Sequence, residues 1–149
     1  MVQTYSDNDN IYSVDLMFAY INIFKPKKTK MNVSDLLHNL EYQGWGDPKK
    51  NIMYSPNDVL DNPTKYKNEM MRINDADLSF PIIVHKRYIV DGVHRLTKAK
   101  MLNKKQIDVY IFDANIMKKF LINKEGDWDA VDELETHNFI EMFYKRFCQ

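Results

Sequence analysis

Pro81-Ile82-Ile83-Val84-His85-Lys86-Arg87-Tyr88-Ile89-Val90-Asp91-Gly92-Val93-His94-Arg95-Leu96 is the stretch that decides how this chain is read. Its first apolar run, led by proline and rich in β-branched residues, predicts a strand over 80–84. His85-Lys86-Arg87 then reads as a tight turn and Tyr88-Ile89-Val90 as the hairpin partner. Asp91-Gly92-Val93 breaks the alternation. From His94 to Leu102 the spacing is helical, with Asn103 as a stop, and Ile107 to Phe112 reads as another strand. Strand, hairpin, helix and strand in so short a span predict an α+β fold.

Outward from this segment the pattern weakens. Residues 1–10 are polar and acidic and read as a flexible tail, with no secretory signal. Leu16 to Phe24 is nearly continuously apolar, aromatic and β-branched, and is stopped by Pro26, so a central strand is expected there. Lys25, Lys27, Lys28 and Lys30 make a basic turn, either a solvated loop or a phosphate-steering patch. Ser34 is a good N-cap for a helix carrying Leu36, Leu37 and Leu40 and ending near Gly44. Trp45-Gly46-Asp47-Pro48 reads as a turn. Ser55-Pro56 and Asn62-Pro63 each open a short helix, the second running through Met70, Met71 and Arg72. The last third reads as helical over 114–121 and again from about Asp129 to Phe147. No repeat or linker is visible, so 11–149 is expected to form a single domain, with its core at about 55–113 and C-terminal helices over 114–147.

The chemistry concentrates at Asp91-Gly92-Val93-His94-Arg95. A strand ends at Val90, glycine permits a sharp reversal, and a helix begins at Val93 or His94. The first-turn amides of such a helix lack intrahelical partners and carry partial positive charge, which favours an anion and phosphate above all. Gly92 allows close approach to the backbone of Gly92 and Val93. Arg95 offers a planar fork for phosphate oxygens, and Lys98 lies one turn further on the same side. Asp91 is placed to hold Mg²⁺ or to accept a proton. His94 can donate to phosphate or act as acid or base. A purely structural reading also fits: Asp91 as a cap, Gly92 as an ordinary turn glycine, and Arg95 paired with Asp91.

With its surroundings the motif resembles the ParB/sulfiredoxin superfamily. The resemblance rests on the proline-led strand, the hairpin, the D-G-x-H-R turn, Lys98-Ala99-Lys100 on the helix, and Ile107-Asp108-Val109-Tyr110-Ile111. It covers about 55–113, including the short helices upstream. It implies a small mixed sheet flanked by short helices, here with a C-terminal helical extension. Sulfiredoxins place a catalytic cysteine directly before the His-Arg pair. Val93 holds that position and Cys148 is far away, so sulfiredoxin chemistry is not expected. Chromosome-partitioning members bind CTP but add a helix-turn-helix domain for which this chain lacks the length and the basic charge. Free-serine kinases of the superfamily need the aspartate of a related motif, which Asp91, Gly92 and Arg95 match, although the histidine stands beside the arginine instead of the glycine. Kinase-like members also recruit a second acid from outside the turn, and Asp58 and Glu69 are the candidates beside the simpler reading of solvated helix charge. The D-G-x-H-R form resembles DndB-type and phage or viral ParB-like proteins.

The resemblance therefore implies nucleotide binding, with a nucleoside di- or triphosphate (ATP, ADP or CTP) and Mg²⁺ as cofactors. The expected activity is phosphoryl transfer or nucleotide hydrolysis, with Asp91 and His94 catalytic, Asp91 on the metal, and Gly92, Val93, His94, Arg95 and Lys98 on the phosphates. The alternative is a non-catalytic nucleotide-sensing or DNA-associated module. A nuclease is weaker still, because 21 Lys and Arg balance 21 Asp and Glu over 149 residues. That balance hides a segregation, however. Arg95, Lys98, Lys100, Lys104 and Lys105 follow the motif, while Glu125, Asp127, Asp129, Asp132, Glu133 and Glu135 crowd the start of the last helix. Composition excludes other classes: one cysteine allows no internal disulfide and no cysteine-based zinc site, and no apolar run reaches the roughly 20 residues of a membrane span. A reducing, cytoplasmic setting is expected, and the many Asn, Lys, Ile and Tyr residues suit a viral or phage source acting in a host cytoplasm. A homodimer is compatible with these features, and the acceptor is left open. His85 reads as surface loop or a reach to phosphate, His38 and His137 as helix residues without metal-site spacing, Thr97 as helix surface, and Trp45 and Tyr54 as core plugs or nucleobase platforms.

Overall fold

A computed structural model describes residues 3–8, 10–123, 131 and 134–149. The fold is α+β, as expected, and its contacts group the chain into two compact units: 1–26 with 112–149, and 27–111.

In the first unit, β1 (Thr4–Asp7) and β2 (Asn10–Ser13) form an antiparallel hairpin, and β9 (Leu121–Asn123) pairs with β2. The stretch read as a tail is thus a strand pair. Its polar Ser-Asp-Asn run supplies turn chemistry, with Asn8 at φ +55°, and Tyr5 packs on Tyr12 with ring centroids 6.1 Å apart.

The expected central strand over 16–24 is instead α1 (Val14–Phe24). Ser13 caps it: its buried Oγ accepts from the Leu16 amide at 3.1 Å. Lys25 closes it in the left-handed region, donating its amide to the Ile21 carbonyl, just before Pro26. A nearly continuous apolar run carries little period, and the Ser13 cap is the local signal that favours helix over strand. Tyr20 and Phe24 meet Phe112, Phe120, Phe143 and Phe147 in an aromatic cluster, together with α5 (Ala114–Met117) and α6 (Thr136–Phe147). The helix expected over 114–121 is α5 followed by a 3-10 turn and β9. The expected start of the last helix near Asp129, and the acidic residues Glu125, Asp127, Asp129, Asp132 and Glu133, lie outside the described residues; Glu135 caps α6, accepting from the Asn138 amide.

The second unit is built on a sheet of order β3-β8-β6-β7, with β3 (Thr29–Asn32), β6 (Ile82–His85), β7 (Tyr88–Asp91) and β8 (Gln106–Ile111). β6 and β8 run parallel, and α4 (Val93–Met101) makes the crossover after the β6–β7 hairpin. Ile82, Val84, Ile89, Leu96, Ala99, Ile107 and Val109 form the core with Val33, Leu36 and Leu40. The helix expected from Ser34 to Gly44 is two 3-10 turns, Val33–Asp35 and Leu37–Glu41, because Leu36, Leu37 and Leu40 must follow the curve of that core.

Asn39, within the second of these turns, holds the hairpin turn, accepting from the Ile89 amide and donating to the Arg87 carbonyl, both at 3.0 Å. This anchors Lys86 and Arg87, both at positive φ, where asparagine and glycine would be usual. His85, expected in that turn, is a buried β6 residue.

The expected turn at Trp45 is β4 (Trp45–Asp47), paired with β5 (Ile52–Tyr54). α2 (Pro56–Asp61) begins at Ser55 as expected, whereas Asn62 closes it instead of opening the next helix; α3 is Lys67–Asp75. Among the described residues no helix is long and apolar enough to cross a membrane.

The cap on α1 is open to direct test. Ser13→Ala should lower stability by about 1 kcal/mol, read from urea unfolding, since it leaves the Leu16 amide buried without its acceptor. An unchanged midpoint would contradict the capped-helix account of 14–24.

Candidate functional site

The backbone comes first. β7 ends at Asp91, and Gly92 takes φ +111° at the N-cap of α4. A side chain there is excluded twice over: L-residues avoid this conformation, and a Cβ would lie 2.8 Å from Cβ of Ile82 and closer still to its Cγ2. No side chain caps α4. Leu96 makes the first intrahelical bond, to the Gly92 carbonyl at 3.0 Å, so the amides of Val93, His94 and Arg95 form the helix's first turn, where an anion is favoured.

Arg95 is the strut of this turn. Its guanidinium donates to Asp91 Oδ2 at 2.7 Å and, through the other terminal nitrogen, to the carbonyls of Phe80 and Pro81 at 3.0 and 2.8 Å. One side chain therefore ties the end of β7 to the chain entering β6. Lys98 is likewise engaged: its ammonium donates to the Asn74 and Ala76 carbonyls, both at 2.7 Å, and so closes the C-terminus of α3. Both cations expected on phosphate thus hold the fold in this arrangement. Thr97, read as surface, is fully buried, and its hydroxyl donates to the Val93 carbonyl.

His94 has a different set of neighbours. Its Nε2 lies 2.8 Å from Oε2 of Glu69 on α3, and its ring stacks on Trp45 of β4 at 4.5 Å and 19°. Glu69 also meets Arg72 at 3.3 Å and the Tyr54 hydroxyl at 3.4 Å through its other oxygen. Tyr54 in turn stacks near Tyr66, at 4.4 Å, and meets Trp45 edge-on at 6.5 Å. Glu69 is only 12% exposed in its side chain whereas His94 is 33% exposed, so the carboxylate sits behind the imidazole and the imidazole faces outward. Such an arrangement can orient a histidine for acid–base chemistry.

Of the two acids considered for this role, Glu69 reaches the motif. Asp58 is occupied in a reciprocal capping box with Ser55 at the start of α2. Among the described residues no group of three or more His, Cys, Asp or Glu side chains could hold a metal ion by itself. A Mg²⁺ ion commonly takes one or two carboxylates and completes its shell with phosphate oxygens and water, so Asp91 suits it only in company with a nucleotide. Of the remaining histidines, His38 meets the Tyr88 ring edge-on and His137 lies 3.4 Å from Glu135. Cys148 is exposed and belongs to the unit of 1–26 and 112–149.

Burial first, then the charge and hydrogen bond of Glu69, raise the Tyr54 hydroxyl above the ordinary phenol range. Folding favours its protonated form, so the linked stability is complete below the unfolded phenol's pKa and declines as pH rises through the folded value. Glu69→Gln should therefore lower the alkaline titration of Tyr54, followed by ultraviolet absorbance against a Tyr54→Phe control. An unmoved titration would contradict the Tyr54–Glu69–His94 chain. Compared with known proteins, the chain matches no family model, no curated protein and no solved structure.

Proposed function

We propose that the unit of 27–111 is a ParB/sulfiredoxin-like nucleotide-binding domain whose phosphates rest on the first turn of α4, with His94 and Glu69 as its acid–base pair. The observation that carries the reading is the convergence of that pair with Asp91 and the uncapped α4 start. An anion site, an oriented imidazole and a carboxylate then share one turn of chain. The chemistry that fits is phosphoryl transfer or nucleotide hydrolysis, in which protein catalysis consists mainly of positioning and charge stabilisation. His94 takes the proton from the attacking hydroxyl or water, and Glu69 holds the ring and stabilises the imidazolium. Trp45 and Tyr54 supply aromatic surface beside the same turn. Mg²⁺ brought in by the phosphates would be held by Asp91 and would neutralise phosphate charge.

A second reading, recognition without turnover, is favoured by one contact. Asp91 is closed onto Arg95 at 2.7 Å, which suits a structural carboxylate better than a base. In that case the nucleotide binds and is released unchanged.

The two readings separate on one set of measurements. ATP, ADP or CTP with Mg²⁺ should raise the melting temperature of the protein. His94→Gln, which keeps a hydrogen-bonding side chain but removes the base, should reduce turnover by about a hundredfold or more while leaving the fold intact. Asp91→Asn should abolish Mg²⁺-dependent turnover. Stabilisation by nucleotide without any turnover selects the recognition reading, and the absence of stabilisation by every nucleotide overturns both.

A further inference from the structure

The C-terminal end of α4 carries a second feature, independent of the turn at its start. Nine residues of helix place it about 13 Å from that turn. Asn103 adopts φ +55°, the Lys104 amide reaches back to the Ala99 carbonyl at 2.9 Å, and the Asn103 amide reaches the Lys100 carbonyl at 3.0 Å. This closing motif satisfies the helix's last carbonyls and so weakens the negative pole that would otherwise repel an anion. The chain then returns to the sheet, with the Val33 amide bonded to the Lys105 carbonyl. Between the two strands of chain lies an open groove of about 450 Å³, lined among others by Asn32, Ser34, Lys100, Asn103, Lys104 and Lys105, and by no carboxylate.

Several other cations of this unit are already engaged. Arg95 pairs with Asp91, Arg72 with Glu69, Lys28 and Lys30 with Asp108, and Lys98 with two carbonyls. Lys100 reaches only a neutral acceptor, Asn57 Oδ1 at 2.6 Å. Lys104 and Lys105 are exposed, and among the described residues neither forms an ion pair. The charges of Lys104 and Lys105, exposed at a groove with no carboxylate in its lining, repel one another unless an anion lies between them. The Ser34 hydroxyl adds a neutral donor at the same place.

We infer that this groove is a binding site for a phosphate-bearing ligand, separate from the turn at Asp91–Arg95. The phosphate comes either from a polynucleotide backbone or from a small phosphorylated molecule. Lysine clusters recognise phosphate as point charges without reading bases, so the site favours no sequence.

The test uses the full chain with two probes: a fluorescein-labelled dT20 strand, followed by anisotropy, and inorganic phosphate, followed by thermal shift. The double variant Lys104→Ala/Lys105→Ala changes only exposed side chains. It should weaken binding of dT20 and reduce the slope of log affinity against log salt by about 1.4, at roughly 0.7 per lysine on single strands. Binding of dT20 lost in the double variant assigns a polynucleotide. Stabilisation by phosphate alone, lost in the same variant, assigns a small ligand. Nucleotide stabilisation should survive in the double variant, which keeps this site distinguishable from the first. Binding of neither probe, or equal binding by wild type and the double variant, overturns the proposal.

Discussion

Arg95 is the contact on which the rest of the site depends. A guanidinium that is partly buried cannot be left unsatisfied, and here its two terminal nitrogens meet a carboxylate and two carbonyls. These three acceptors belong to the entrance of β6 and the end of β7, so the side chain fixes where the hairpin begins and ends. Gly92 adds the complementary constraint: with Ile82 filling the space a Cβ would need, the chain has one way to turn into α4. Together they set the direction of α4, and that direction brings His94 against Glu69 and Trp45. Removing either constraint would free the start of α4 before it touched the core.

The same geometry explains why a motif of phosphate-binding residue types carries so much structural work. Arg95 and Lys98 have the chemistry to hold phosphate, yet in this arrangement both hold backbone carbonyls. An anion at the first turn of α4 would then be met by amides and by His94, with Arg95 behind them as a support. That division of labour resembles other helix-start anion sites, where backbone dipoles bind and side chains position.

What the sequence made legible was local. The β6–β7 hairpin, α4 and β8 each have a period of their own and punctuation by Gly92 and Asn103, and they form where expected. The stretch over 16–24 is apolar but for Asn22 and has little period to read, and the local helix signal was Ser13, which accepts from the Leu16 amide. The hairpin of β1 and β2 was hidden for the opposite reason, because its polar turn looks like a tail until Tyr5 and Tyr12 are seen to pair across it. The division into two units was hidden as well, since it joins segments from opposite ends of the chain. At the candidate site, Asp91, Gly92 and His94 stand together because they are neighbours in sequence. The pairing of His94 with Glu69, and its stacking on Trp45, spans separate elements. Glu69 was a candidate only as one of two acids on the upstream helices, and Ser55, three residues before Asp58, was the local signal that Asp58 is a cap.

The central proposal is that the first turn of α4 holds the phosphates of a nucleotide. Amide chemical-shift mapping by ¹⁵N–¹H NMR, with a non-hydrolysable nucleoside triphosphate analogue and Mg²⁺, tests it most directly. The account predicts that the largest shifts fall on the amides of Gly92, Val93, His94 and Arg95, with the side chain of Trp45 moving in step. Shifts confined to other elements, or none at saturating analogue, would contradict it.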